Sequence, residues 1–311
     1  MKKIVITGAS GLLGGRLVKY FAALDYKVYA ISSKSNIESK QNNVFYITHD
    51  LMNPSGLKSL LHDADFIIHA SGVNAQQSVS DPLFAFDFNI NTTINICKSI
   101  KHLSNTRILY ISTAHVYGSP LTGNISESKC VNNNHPYALS HFAAESIITT
   151  LNYDTTRGII IRLSNSFGFP VNKDTNCWML FVNDIAQQLI LENQLKITSN
   201  INQVRDFVPI KYVLNAIEHL LLLENDHLDN GMFNVGSGTT TSLINMANRV
   251  AERYTELSNG LIPKIITSSD NPQVDNNFKF SVDKLLSTGF QNLSDDIIDK
   301  EIDDLLLACR I

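Results

Sequence analysis

The sequence predicts an α/β protein built on a doubly wound parallel sheet, with a smaller C-terminal lobe. Three observations support this fold class: short apolar segments alternate with helical patterns, a glycine-rich loop follows the first segment, and the alternation breaks off in the second half of the chain. The segments are rich in Val and Ile and mostly apolar on both faces, which is typical of strands buried in a parallel sheet. They read KKIVITG, KVYAISS, VFYITHD, DFIIHASG, RILYIST and RGIIIRLS. Strands that alternate with helices indicate βαβ units.

The first helix is predicted between the first two strands. Its apolar residues recur at i, i+4, i+8 and i+11, namely Leu13, Leu17, Phe21 and Leu24. This spacing puts them on one face of an amphipathic helix.

The second half of the chain has a different organisation. After about residue 165 a loop-rich stretch leads into helices predicted near residues 178–193 and 242–257, and a last acidic helix carries Ile298 and Ile302. A strand in RDFVPIKYV, a helix ending in HLLLLEN and a further strand in GMFNVGSG come between them. We therefore expect a second, smaller lobe woven from two segments.

Composition excludes several functional classes. The 311 residues carry a formal charge of −4, so no basic field attracts nucleic acid or an anionic membrane surface. No apolar run approaches the roughly 20 residues of a membrane span, and the apolar stretch at the N-terminus is too short for a secretory signal. The four cysteines are scattered without a metal-binding spacing, so we expect free thiols in the cytoplasm and no metal site.

The loop TGASGLLGG joins the first strand to the first helix, and it carries Gly8, Gly11 and Gly14. Glycine at such positions allows a tight turn, close approach of the backbone to a pyrophosphate, and close packing of the helix on the sheet. The N-terminus of the helix then offers free N–H groups to phosphates. The alternative is an ordinary turn between a strand and a helix.

Several motifs in order extend this signal over nearly the whole chain. TGxxGxxG is followed by STAHVYG, a Tyr-x-x-x segment, RLSNSFG, and RDFVPI with FNVGSG. In this order they resemble the extended short-chain dehydrogenases/reductases, and within them the NAD-dependent epimerase/dehydratase family that acts on nucleotide sugars. The resemblance implies a Rossmann-like domain that binds NAD(P), a C-terminal lobe that binds a nucleoside-diphosphate sugar, and a homodimer. We assign residues 1–165, completed by a segment near 207–240, to the first domain, and 166–206 and 241–311 to the second lobe.

The end of the second strand bears on the choice of dinucleotide. It reads Ser32-Ser33-Lys34, without the carboxylate that commonly binds the ribose hydroxyls of NAD. A lysine among hydroxyls suits a 2′-phosphate, so NADP is favoured over NAD, which stays possible. The alternative is that Lys34 is a solvated loop residue. The resemblance implies further cofactor contacts at Ser10, Leu12, Leu13, Asp50, Leu51, Ala70, Ser71, Tyr137 and His141.

The resemblance also implies the catalytic residues. Thr113 matches the residue whose hydroxyl binds the reacting oxygen, and Tyr137 matches the general acid/base. A phenol has an ordinary pKa near 10 and needs a positive neighbour to act near neutral pH. The family's lysine is replaced by His141, one helical turn after the tyrosine. We expect a protonated His141 to supply part of that charge; the alternative is a site that has lost its cation.

The residues after Thr113 exclude one reaction of the family. Dehydratases carry Asp-Glu directly after the threonine, whereas this chain has Ala114 and His115. His115 stands where a reductase/epimerase branch uses a cysteine acid, so it is a candidate acid; it is equally compatible with an exposed loop histidine.

The resemblance places substrate contacts in the second half of the chain. Asn165 of RLSNSFG and Asn176 match contacts to the diphospho-sugar, and Asn176 is expected to lead into a helix. Arg205 matches the arginine that pairs with the diphosphate, a task suited to a guanidinium group. The alternative for Arg205 is a salt bridge with an acid such as Asp206.

Three functions follow from these patterns. The first is NADPH-dependent reduction of a keto-sugar nucleotide. The second is 4-epimerisation of a nucleotide sugar on tightly held NAD, and the third is dinucleotide binding without turnover.

Overall fold

A computed structural model describes residues 1–34, 41–153, 156–268, 272 and 277–310. The chain divides into two compact units. The first unit comprises residues 1–119, 127–163 and 217–233, and the second comprises residues 120–126, 164–216 and 234–311. The assignment of the first unit to the dinucleotide and of the second to the substrate stays a prediction.

The strands, in chain order, are β1 (Lys3–Thr7), β2 (Lys27–Ser32), β3 (Val44–Thr48), β4 (Phe66–His69), β5 (Arg107–Thr113), β6 (Gly123–Ile125), β7 (Arg157–Leu163), β8 (Asn165–Phe167), β9 (Gln194–Ile197), β10 (Val204–Pro209), β11 (Met232–Val235), β12 (Thr240–Ser242), β13 (Lys264–Thr267) and β14 (Phe278–Phe280). The α-helices are α1 (Leu12–Ala23), α2 (Leu57–Leu61), α3 (Ala75–Ser80), α4 (Pro82–Ile100), α5 (Pro136–Thr149), α6 (Phe181–Glu192), α7 (Ile210–Leu222), α8 (Leu243–Leu257), α9 (Asp283–Ser287) and α10 (Asp295–Ala308). Short 3-10 turns lie at Ala114–Tyr117, Thr150–Tyr153 and Asn225–His227.

A seven-stranded sheet in the order β11-β7-β5-β4-β1-β2-β3 forms the centre of the first unit. The neighbours from β3 through to β7 pair in parallel. Strands β1 and β4 are buried along their whole length, as expected for the centre of a doubly wound sheet. Strand order reverses beside β1, and ligands of such sheets bind at the carboxyl ends of the strands at this point. The predicted fold class is therefore confirmed.

Helix α1 shows how the apolar pattern is used. Leu17 and Phe21 are fully buried, as the spacing predicted. Leu24, expected on the same face, is the residue that ends the helix and is 41% exposed. The predicted face therefore stops one turn earlier than its spacing indicated.

The second unit has its own apolar core between helices α6, α8 and α10. Helix α8 begins after Ser242, whose side chain accepts a hydrogen bond from the N–H of Asn245. Leu243, Ala247, Val250 and Tyr254 of α8 and Ile302 of α10 lie in this core. Around it lie a three-stranded sheet, β12-β10-β8, and the strand pairs β13-β9 and β14-β6. Within the described ranges no helix is long and apolar enough to cross a membrane.

Candidate active site

At two positions of the glycine loop, only glycine fits without a steric clash. Gly8 has a left-handed backbone, with φ of 69°, and a Cβ atom there would lie 2.6 Å from the carbonyl oxygen of Ala70. A Cβ atom on Gly14 would lie 2.0 Å from the carbonyl oxygen of Gly8. Gly11 precedes α1 without a side-chain cap, and the first turn of the helix holds no acid. The N–H groups of that turn, which include those of Leu12 and Leu13, thus fit a phosphate, and the cradle fits a dinucleotide.

The structure brings the loop after β4 against this glycine loop. Ala70 contacts Gly8 as described, and the backbone N–H of Ser71 donates a hydrogen bond of 3.3 Å to Thr7 Oγ1 at the end of β1. Ser10, Ala70 and Ser71 thus belong to neighbouring loops at the carboxyl ends of the strands.

The ends of β2 and β3 also lie side by side. Ser32 is buried, and its hydroxyl accepts a hydrogen bond of 3.0 Å from the backbone N–H of Lys34. Ser33 and Lys34 are exposed. At the end of β3, Leu51 is buried, and the exposed Asp50 accepts a hydrogen bond from the N–H of Met52. The residues after β2 and β3 that were predicted to contact the cofactor therefore lie at the same edge of the sheet.

His69, at the end of β4, is fully buried and has a partner on each ring nitrogen. Thr7 Oγ1 lies 2.8 Å from Nδ1, and Thr93 Oγ1 lies 3.2 Å from Nε2. Thr93 donates its own proton to the carbonyl oxygen of Asn89, so it accepts from His69 Nε2. Burial, together with the nearby His141, lowers the pKa of His69 to about 3. His69 is therefore a neutral core histidine.

Thr113 and Tyr137 meet at the end of β5. Thr113 is buried and accepts a hydrogen bond of 3.2 Å from the N–H of His115. Tyr137 lies in the first turn of α5, where its N–H donates to the side chain of the capping residue His135. Burial raises the pKa of Tyr137, and a hydrogen bond with the Thr113 side chain opposes that rise. The phenol is therefore protonated near neutral pH.

His141 lies one turn further along α5, with its ring centroid 4.7 Å from that of Tyr137 and the two rings edge to face. Its Nδ1 is 2.7 Å from the hydroxyl of Tyr110, which lies on β5. The side chain is only 6% exposed, and burial lowers its pKa to about 4. Burial therefore opposes the expected protonated form of His141 at neutral pH, because little water reaches the ring to stabilise the charge.

His115 also lies near the phenol. Its ring centroid is 6.3 Å from that of Tyr137, and the residue is exposed. His115 is therefore an exposed histidine, and it also lies close to the candidate acid/base Tyr137. Among the described residues, no group of three His, Cys, Asp or Glu side chains could hold a metal ion.

A buried ion pair links α5 to β7 and was not predicted from the sequence. Arg162 on β7 donates to both carboxylate oxygens of Glu145, with an Nη2–Oε2 distance of 2.7 Å. The Ser112 hydroxyl donates to the same carboxylate, and the guanidinium group lies 4.6 Å from the centroid of the Tyr117 ring. Both charged residues are almost fully buried. An arginine within the otherwise apolar strand RGIIIRLS was the signal that could have revealed the pair.

The predicted substrate residues lie in the second unit. Asn165 donates a hydrogen bond of 3.1 Å to the backbone carbonyl of Asp206. Arg205 is partly buried, and burial lowers the pKa of its guanidinium group. Its side chain donates one long hydrogen bond of 3.4 Å to Gln203, and no carboxylate of the described residues pairs with it. Asn176 is exposed and precedes α6 by several residues, so it does not lead into the helix as expected.

Asp206 does not form the alternative salt bridge with Arg205. It is fully buried and accepts hydrogen bonds from the Ser164 hydroxyl and from the backbone N–H groups of Ser237 and Gly238. Burial outweighs these bonds and raises its pKa to about 6. Arg205 and Asp206 are adjacent on β10, and successive residues of a strand point to opposite faces.

The doubly wound sheet, the glycine loop and the threonine–tyrosine pair at the strand ends define a nicotinamide-dinucleotide-dependent enzyme of the short-chain dehydrogenase/reductase class. Residues 4–236 match the model of the NAD dependent epimerase/dehydratase family, and the chain belongs to that family. Its members are NAD(P)-dependent nucleotide-sugar epimerases, dehydratases and reductases. The family expected from the motifs is therefore confirmed.

Curated relatives include both reductases and epimerases. GDP-6-deoxy-D-mannose reductase of Pseudomonas aeruginosa is 29% identical over 249 residues, which cover 76% of this chain and 75% of the relative. UDP-glucose 4-epimerase of Bacillus subtilis is 24% identical over 271 residues, which cover 78% of this chain and 79% of the relative. Among solved structures, UDP-N-acetylglucosamine 4-epimerase of Methanobrevibacter ruminantium in complex with UDP-N-acetylmuramic acid has a TM-score of 0.81 at 20% identity. That alignment covers 99% of this chain and 97% of the other, and it shows a shared fold.

Proposed function

We propose that this chain reduces a keto-sugar nucleotide with NADPH. The observation that supports this proposal most strongly is the packing of the buried His141 against the Tyr137 ring at the start of α5. Burial raises the pKa of Tyr137 and lowers that of His141, so the phenol keeps its proton and the imidazole is neutral. A protonated phenol is the form that delivers a proton to a carbonyl oxygen as it becomes an alcohol.

The steps of this reduction are assigned to the following residues. The bound dinucleotide supplies the hydride. The glycine loop holds its diphosphate, and Ser33 with Lys34 faces the 2′-phosphate. Thr113 donates a hydrogen bond to the carbonyl oxygen, and Tyr137 donates the proton to that oxygen. Arg205, which has no carboxylate partner among the residues described, pairs with the diphosphate of the substrate, and Asn165 and Asn176 contact the diphospho-sugar.

The 4-epimerase is the second candidate, because an epimerase is among the relatives. Epimerisation begins with oxidation, in which Tyr137 must accept a proton. The family's lysine favours the tyrosinate form that this step needs, whereas a neutral histidine does not. The third candidate is binding without turnover. In that case the replacement of the family's lysine by His141 has abolished catalysis.

Steady-state NADPH oxidation with keto-sugar nucleotides tests the proposal. We expect turnover in the natural protein and its loss in Tyr137→Phe, with NADPH binding almost unchanged. Tyr26→Phe is the matched control, because Tyr26 packs edge to face on Phe21 in the same unit. Interconversion of a nucleotide sugar with no net NADPH use, together with NAD identified by mass spectrometry in the purified protein, would establish the epimerase instead. Tight binding of NADPH and nucleotide sugar without turnover of either would establish the third candidate.

A further inference from the structure

Three polar side chains form one row across the central strands, at the carboxyl ends of β1 and β4 and the middle of β5. Thr7 of β1 is in register with His69 of β4, and His69 is in register with Tyr110 of β5. Registered residues of neighbouring parallel strands point to the same face of the sheet. The row ends at His141, whose Nδ1 is the partner of the Tyr110 hydroxyl.

The proton of this hydrogen bond belongs to Tyr110. The residue is 1% exposed, and burial raises the pKa of its phenol well above the ordinary value, so the hydroxyl stays protonated. Among the described residues His141 Nδ1, at 2.7 Å, is the one acceptor for that proton. Tyr110 therefore donates, and Nδ1 accepts with its lone pair.

The tautomer of His141 follows from this direction. A neutral imidazole has one protonated and one unprotonated nitrogen, so the proton of His141 is on Nε2. Nε2 makes no hydrogen bond within the described ranges. The same edge of the ring lies beside Gly72, where a Cβ atom would be 3.4 Å from Cε1 and 3.7 Å from Nε2. Gly72 follows Ser71 in the loop that borders the glycine loop.

Among the described residues, no neighbouring titratable group offers an unpaired negative charge that would stabilise a second proton on His141. Tyr110 of β5 occupies Nδ1 with its own proton, and the Tyr137 phenol of α5 is protonated. His69 of β4 is neutral and adds no charge that would stabilise a protonated His141. Glu145, one turn further along α5, is already paired with Arg162. A proton on Nδ1 would also leave the Tyr110 hydroxyl without an acceptor, which is costly in a buried site.

We propose that Tyr110 is a positioning residue that holds His141 in the Nε2–H tautomer, so that His141 is a neutral hydrogen-bond donor to an acceptor oxygen of the bound dinucleotide. This rests on the proposed function only in requiring a dinucleotide at this site. His141 thus replaces the positional role of a lysine but not its charge. Donation through Nε2 does not depend on pH across the neutral range, whereas a cation of ordinary histidine pKa would be lost there.

The tautomer can be read directly in the ligand-free protein from two-bond proton–nitrogen correlations of 15N-labelled histidine, assigned by comparison with His141→Gln. We expect His141 to give the Nε2–H pattern without change from ~pH 6 to ~pH 9. In Tyr110→Phe we expect a mixture of tautomers and NADPH binding weakened about fivefold, the loss of roughly one hydrogen bond. Tyr26→Phe should change neither measurement.

A double-mutant comparison separates positioning from a general loss of structure. A lysine has no tautomer to fix, so Tyr110→Phe should weaken NADPH binding much less in the His141→Lys background than in the natural protein. Equal losses in both backgrounds would refute the positioning role. An Nδ1–H or imidazolium signal in the natural protein would refute the tautomer assignment, even if Tyr110→Phe does not fold. An Nε2–H signal in a protein that binds neither NADPH nor NADH would leave the tautomer standing and overturn both the donor role and the proposed function.

Discussion

Two buried neutral histidines should make the first unit sensitive to mild acid. The pKa of His69 falls from 6.5 to about 3 on folding, and that of His141 falls to about 4. Between those values the unfolded chain binds a proton at each site that the folded protein does not. The free energy of unfolding therefore falls as the pH falls below 6.5, and it stops falling only near the folded pKa values.

The magnitude follows from the width of that window. Each pH unit corresponds to about 1.4 kcal/mol for one site, so a change from pH 6.5 to ~pH 5 removes about 2 kcal/mol per histidine. His69→Gln removes one site while keeping an amide that can accept from Thr7 and donate to Thr93. The stability difference between ~pH 7.5 and ~pH 5 should therefore be about 2 kcal/mol smaller in His69→Gln than in the natural protein.

Urea unfolding at the two pH values measures this difference. The comparison cancels the contribution of Asp206, whose pKa of about 6 acts in the opposite direction in both proteins. His62→Gln is a matched control, because this exposed histidine lies in the same unit. If the natural protein and His69→Gln lose the same stability on acidification, His69 is not held neutral by burial, and the reasoning is refuted.

Three further predictions test other parts of the molecule. Lys34→Asp should invert a preference for NADPH over NADH, because a carboxylate repels the 2′-phosphate; calorimetry that shows NADH bound more tightly by the natural protein would refute the assignment. Arg205→Ala should weaken binding of nucleoside diphosphates by about 2 kcal/mol, while the exposed Lys264→Ala should not, and equal affinities would place Arg205 outside the site. Arg162→Met should lower the free energy of unfolding by roughly 3–5 kcal/mol, because it leaves Glu145 charged and buried; a loss below about 1 kcal/mol in urea unfolding would show that the pair is not essential to stability.

The parts of the fold that were predicted are those that local pattern determines. The strands of the central sheet are apolar on both faces, and α8 has an apolar face with a helical period, so both were visible in the sequence. Strand β6 was not visible, because it has three residues and pairs with β14 over a distance of more than 150 residues in the chain. The start of helix α6 was predicted near residue 178, which is too early. Trp178 packs on the core of the second unit but lies before the helix, which begins at Phe181.

The residues of the candidate site were predicted better than their protonation. The spacing of Tyr137 and His141 predicted correctly that both lie on one face of a helix, and the rings are in contact. Their charges depend on burial and on Tyr110, which lies 31 residues away along the chain. Because Tyr110 is distant from His141 in the sequence, this contact could not be predicted. The protonation of His141 was therefore inferred from the ordinary pKa of histidine. The Glu145–Arg162 pair was missed for the same reason.

The arrangement of Arg205 and Asp206 has a consequence for how this strand can change over time. Asp206 is tied to Ser164 and to the backbone of Ser237 and Gly238, whereas Arg205 points to the opposite face of β10. Substitutions at either position would alter one face alone. Insertion of a single residue before Arg205 would exchange the two faces and bring the arginine into the buried carboxylate's position. We therefore expect relatives of this chain to vary in length in the loops that flank β10 and to keep the spacing within it constant.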